Sequence, residues 1–144
     1  MLPIRRRCLL ASLLAIHSVV LADAPEAPRE PKQMADRVMA KVAAGETEEG
    51  ILLCKAFSVD PNSKWDSYLE EIKAERPSTL QRFGATVDTQ FVREVKVSEH
   101  LVRLIYMERC EKYPMAWAFT FYRGKDEWRL SSLSRDGGLD VLFY

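Results

Sequence analysis

The chain has 144 residues, 47% of them hydrophobic, with 21 basic and 21 acidic side chains, 3 cysteines and 2 histidines. A formal net charge of +0 leaves no electrostatic footprint for nucleic acid or an anionic membrane surface, and so few histidines argue against a histidine-rich metal centre or a Ser-His-Asp triad. The length suits one domain with room for a real core.

The chain opens on three arginines, Arg5 to Arg7, followed by an uncharged apolar run over residues 8–21. Val20, Leu21 and Ala22 then supply the residue types a signal peptidase needs, so residues 1–22 read as an export signal cleaved after Ala22. A cut after Ala24 would put Pro25 just past the scissile bond. The apolar run is shorter than the roughly 20 residues of a spanning helix, so no stable membrane insertion is expected after cleavage. Arg6 and Arg7 loosely resemble a twin-arginine signal, but no Ser or Thr precedes them, and general secretion is the default. Cys8 follows the arginines directly, whereas a lipidated cysteine would follow the apolar stretch. The expected location is periplasmic or secreted. Cleavage removes three positive charges and no negative ones, leaving a mildly acidic chain whose only histidine is His100 and whose cysteines are Cys54 and Cys110.

Residues 23–30, with Pro25 and Pro28 among acids and alanines, read as a disordered leader, and residues 31–144 as a single domain. Pro31 suits the first position of a helix. Met34, Val38 and Val42, flanked by Ala35 and Met39, then recur at helical spacing up to Gly45. Residues 46–57 hold the apolar run Ile51–Cys54, which suits a buried helical turn or a strand; the helix is favoured because Glu46, Glu48 and Glu49 would gather at its positive N-terminal end. A third helix can be capped by Asp60 and opened by Pro61. It places Trp65, Leu69 and Ile72 on one face beside Tyr68 and should stop before Pro77.

From Ala85 the pattern alternates, predicting four strands over residues 87–97, 101–110, 115–123 and 127–133, joined as antiparallel hairpins. A turn at Ser98-Glu99 sets Val95 opposite Val102, Phe91 opposite Tyr106 and Val87 opposite Cys110. The next turn sets Cys110 opposite Met115, Tyr106 opposite Phe119 and Leu104 opposite Phe121. A turn at Gly124-Lys125 sets Phe121 opposite Trp128 and Phe119 opposite Leu130. The aromatics then share one face, and Asp88, Gln90, Glu94, Lys96, Arg103, Arg109, Thr120, Glu127 and Arg129 share the other. This is a one-sided sheet whose apolar face the upstream helices would cover. His100 falls in a hairpin turn, as a solvated ring.

A helix ending in glycine comes first, then a tryptophan-led helix running from Trp65 to Arg76. The run Trp117-Ala118-Phe119-Thr120-Phe121-Tyr122-Arg123 and Glu127-Trp128-Arg129-Leu130 follow. In this order the chain resembles small exported bacterial proteins of uncharacterised function with a cystatin-like or NTF2-like fold. The resemblance covers most of residues 31–144 and implies an α+β domain: helices packed on one face of a curved four-stranded antiparallel meander. Its motifs are core-packing signals, and the fold hosts enzymes and non-enzymes alike.

The register makes one row of the inner face polar: Thr89, Glu108, Trp117 and Ser132. A carboxylate set against Trp117 and Tyr106 would be poorly solvated, as in sites that need an acid, a base or a polar anchor. Thr89, Tyr106, Glu108, Trp117 and Ser132 are therefore the candidate ligand-binding residues. The alternative is a Glu108 that reaches water or pairs with a helix Lys or Arg. Arg93 also lands inward and is expected to snorkel to the sheet edge. Cys110 faces inward where the helix bearing Cys54 would pack, so a Cys54–Cys110 disulfide is expected, against the alternative of two buried free thiols. No cofactor is expected. Outside, Ile105, Met107, Ala116, Ala118 and Tyr122 form an apolar strip suited to a homodimer contact.

The leading functional expectation is an exported, non-enzymatic module that binds a small molecule or a protein partner. The alternatives are an isomerase- or hydratase-type enzyme with Glu108 as general base, and a structural protein that pairs through the outer strip.

Overall fold

A computed structural model describes residues 29–60 and 64–144. The export signal, the leader as far as residue 28 and the expected proline start at Pro61 lie outside the described residues. Among those described, three helices precede four strands: α1 (Pro31–Ala43), α2 (Thr47–Phe57), α3 (Lys64–Phe83), β1 (Thr86–Ser98), β2 (Leu101–Cys110), β3 (Met115–Arg123) and β4 (Trp128–Asp136). A four-residue turn of helix, α4 (Asp140–Phe143), follows. No described helix is long and apolar enough to cross a membrane.

Helix α1 begins on Pro31 and buries Met34, Ala35, Val38, Met39 and Val42, the stripe its spacing predicts. Gly45 takes a φ of 79°, and the N–H groups of Gly45 and Glu46 donate to the carbonyls of Val42 and Lys41, both at 2.9 Å. These bonds satisfy the orphan acceptors of the helix end. Helix α2 carries Glu48 and Glu49 in its first turn and buries Ile51 and Cys54, so the short apolar run is helical. Helix α3 departs from expectation, because it does not stop before Pro77 but runs through it to Phe83. The proline deprives the Lys73 carbonyl of its donor. Residues 73–78 are exposed, so water can take that acceptor. Buried Phe83 anchors the far end, and Gly84 closes it with a φ of 80°. A Cβ at Gly84 would also meet Glu111 Cβ at 2.8 Å.

The strands form one open antiparallel sheet in the order β1-β2-β3-β4. Phe91 lies opposite Tyr106, as expected. The β2–β3 pairing slides by two residues, placing Leu104 opposite Phe119, Tyr106 opposite Trp117 and Glu108 opposite Met115. A slide of two leaves every side chain on its predicted face. Bulges do not. In β4 a register shift between the Phe121–Leu130 and Thr120–Ser132 pairs inserts one residue, so that Trp117 lies opposite Arg135. Ser132 is thereby turned to the outer face, opposite Thr120, and Arg135 takes its expected place beside Trp117.

In β1 a second shift, between Phe91 and Arg93, sets Arg93 opposite Ile105, Val95 opposite Arg103 and Lys96 opposite Val102. Arg93 and Val95 therefore face outward, and Glu94 and Lys96 do not join the outer set. Thr86, rather than Val87, lies opposite Cys110, and the first hairpin turns at Glu99-His100, with Ser98 opposite Leu101.

Trp117, Phe119 and Phe121 stand in line on the inner face, with successive centroids 6.1 and 6.5 Å apart and rings nearly parallel. All three are fully buried beneath the helices. On the other face the C-terminal residues fold back over β2 and β3. Arg93 fastens them: Nη1 donates to Leu142 O at 2.9 Å, and Nη2 to Val141 O at 2.8 Å and to Tyr144 O. The expected outer strip is accordingly not an open patch. Ile105, Ala116 and Ala118 are buried, Met107 is half-buried, and only Tyr122 of the five is exposed.

The expected disulfide is absent, as Cys54 and Cys110 are both free and buried. Cys54 packs in the main core, whereas Cys110 belongs to a separate cluster with Phe83 and Met115.

Candidate functional site

The hydrophobic core fills the middle of the inner face and stops at Glu108. Beyond it lies a cavity of about 220 Å³, bounded by the α1–α2 turn at Gly45, by Ile72, Arg76 and Leu80 of α3, and by Thr86, Glu108, Cys110 and Arg135 of the sheet. Each wall has a local cause. Gly45 and Gly84, in their left-handed conformations, bend the chain away at two corners, and the continuation of α3 past Pro77 supplies a third side. The β4 bulge delivers Arg135 to the floor.

Glu108 is 2% exposed. Thr86 Oγ1 donates to its Oε1 at 2.6 Å, and the Trp117 indole Nε1 donates to its Oε2 at 2.7 Å. Both oxygens are thus held before any ligand is considered, which fixes the carboxylate plane. Arg135 lies alongside, with Nε 3.9 Å from Glu108 Oε2 and its guanidinium carbon 5.3 Å from the Trp117 ring centroid. At that distance the two charges attract without a hydrogen bond. Arg135 Nε is buried and has no hydrogen-bond partner among the described residues. A buried donor in that state is costly, by about 1–3 kcal/mol.

Arg76 stands at the mouth, half exposed, with Nη1 3.5 Å from Glu48 Oε1. Burial, and secondarily the nearby Glu108 charge, pushes the Cys110 thiol up to about 12, so it stays protonated. Desolvation likewise raises Cys54 far above the usual thiol range. Neither thiol is an activated nucleophile.

Of the five residues expected to bind ligand, Glu108 and Trp117 are in direct contact, and Glu108 lines the cavity. Tyr106 is turned elsewhere, donating its hydroxyl to Asp36 Oδ1 of α1 at 2.7 Å. Burial and that acceptor hold the phenol well above its ordinary range. Thr89 Oγ1 donates to Met39 O at 3.3 Å, tying β1 to α1. Ser132 is on the opposite face. Arg135, Thr86 and Arg76 were not anticipated. Arg135 had one visible signal: Leu130 and Leu133 are three residues apart, a spacing that breaks strand alternation and marks a bulge. Among the described residues, no group of three His, Cys, Asp or Glu side chains is placed to hold a metal ion.

No protein-family model matches the chain. No curated protein and no solved structure matches it either.

Proposed function

We propose that this chain is an exported, non-enzymatic binding module of the NTF2-like or cystatin-like kind, which holds a small ligand in the cavity above Glu108. The observation that carries the reading is the contrast at the floor. Glu108 is buried and fully oriented, while the adjacent Arg135 Nε is buried with no hydrogen-bond partner among the described residues. Natural interiors rarely leave such a donor idle unless something arrives to take it. Both Glu108 oxygens already accept hydrogen bonds, an arrangement better suited to orienting a ligand than to abstracting a proton. Export rests on the arginine-led apolar run of residues 5–22.

The test is to express the full chain with its own first residues and recover it from the periplasm. N-terminal sequencing should find Asp23 first, and native mass spectrometry should find a retained small molecule that is lost on mild unfolding. Residues 1–22 remaining on a cytoplasmic product would contradict export. A protein that carries nothing, and whose melting is unmoved by any compound in a small-molecule screen, would contradict the binding role.

A further inference from the structure

We propose that the ligand is a small organic acid whose carboxylate is taken by Arg135. The proposal rests on the cavity reading above and adds a chemical class to it. Three observations bear on the class. First, a guanidinium lines the floor. Among the described residues Arg135 Nε has no hydrogen-bond partner and lies 3.9 Å from Glu108 Oε2, and the Arg135 side chain is 10% exposed. A guanidinium presents its N–H groups in a planar fork that matches two carboxylate oxygens.

Second, both oxygens of the Glu108 carboxylate already accept hydrogen bonds, so the carboxylate is held in place. Glu108 accepts from Thr86 at 2.6 Å and from Trp117 at 2.7 Å, and stands 3.9 Å from Arg135. Arg76 adds a second cation at the mouth and pairs with Glu48 at 3.5 Å, with both side chains substantially exposed. Exposed pairs of that kind are worth about 0–1 kcal/mol, so Arg76 can turn toward an anion at little cost.

Third, the volume and walls set the size of the rest of the molecule. A space of about 220 Å³ suits a small molecule rather than a polymer segment. Ile72, Leu80 and Ala43 provide apolar wall for its body. Phosphate would leave that wall uncovered, and a larger dianion would lack a third cation, because the cavity is lined by Arg76 and Arg135 but by no lysine.

The experiment compares acids with their uncharged twins: benzoate against benzamide, and butyrate against butyramide. Each is titrated into the purified protein and followed by backbone amide shifts of Gly84, Ala85 and Thr86 and by melting temperature. The acids should bind about tenfold or more tightly than the amides, as expected for a charge-assisted contact. Arg135→Gln should erase the difference, and Arg135→Lys, which keeps the charge and covers the case of a poorly folded glutamine variant, should keep part of it. Equal binding of acid and amide would overturn the acid assignment and leave the cavity reading standing. If neither member of either pair moves the cavity-wall amides at millimolar concentration, both fall together.

Discussion

The two ends of the sheet's inner face are made from the same alternating strands and end in opposite states. Toward the middle, Trp117, Phe119 and Phe121 stand in line with nearly parallel rings and are fully buried. A few residues along, Glu108, Thr86 and Arg135 border open space. The packed end is hydrophobic burial, in which Trp65 Nε1 is a buried donor with no hydrogen-bond partner among the described residues. The polar end holds two buried charges 3.9 Å apart that attract without a hydrogen bond. Even a paired buried charge costs desolvation, so the polar end draws on stability that the packed end supplies. The indole of Trp117 joins the two, because its ring belongs to the stack and its N–H to Glu108.

The largest expected effect breaks the packed end. Phe119→Ala removes a fully buried ring from the centre of the stack and should cost about 4 kcal/mol, read from the midpoint of urea unfolding. A loss near 1 kcal/mol would mean that the core is looser than the geometry implies.

At the polar end, Glu108→Ala would strand both the Trp117 donor and the Arg135 charge, at about 3 kcal/mol. Glu108→Gln keeps an acceptor for one donor and should cost about 1 kcal/mol. If the glutamine variant instead melts higher, the carboxylate is a buried liability carried for binding, and the contrast between the two ends becomes sharper.

Arg93→Ala tests the outer face. It should lose about 1 kcal/mol globally, while amide exchange in residues 139–144 accelerates far more than exchange in the strands. Uniform acceleration would show that the C-terminal turn is no separate latch.

The smallest effect is a pH dependence. Burial raises the Cys110 thiol from its ordinary 9.0 to about 12, so the folded protein binds its proton more tightly than the unfolded chain. The associated stability is fully present below about pH 9 and is lost as pH rises toward 12. Tyr106, shifted in the same direction by burial and by Asp36, adds to the decline. Urea midpoints should therefore be flat from pH 7 to 8 and fall above pH 9, to a lesser extent in Cys110→Ala.

The same division decides what could be read without coordinates. Met34, Val38 and Val42 repeat at helical spacing and Phe119 and Phe121 alternate, because packing against a flat layer imposes a period; the helical layer, the bounds of β2 and β3 and the aromatic face follow, whereas β4, expected to end at Leu133, runs on to Asp136. Glu108 stood out as the polar break in that period. Arg135 did not, because one extra residue in β4 inverts the parity that places Ser132 inward, and a bulge is a local event with little periodic trace. Pro77 misled for a related reason. Its cost is fixed by local chemistry, but whether a helix bears it depends on solvent access to one carbonyl, which only the tertiary fold determines. The cysteines show the limit of compartment arguments, since two thiols on compatible elements still pack in separate clusters.

The central claim is that the polar end is a binding site and the packed end is not. The chain has three tryptophans, so its indole N–H spectrum contains three side-chain resonances, and Trp117→Phe identifies the one that reports on Glu108. On titration with benzoate, that resonance and the amides of Gly84 and Thr86 should move together. The Trp128 indole and the amides of Phe119 and Phe121 should stay in place. A Trp117 indole that does not move while Trp128 or the outer-face residues do would contradict the account.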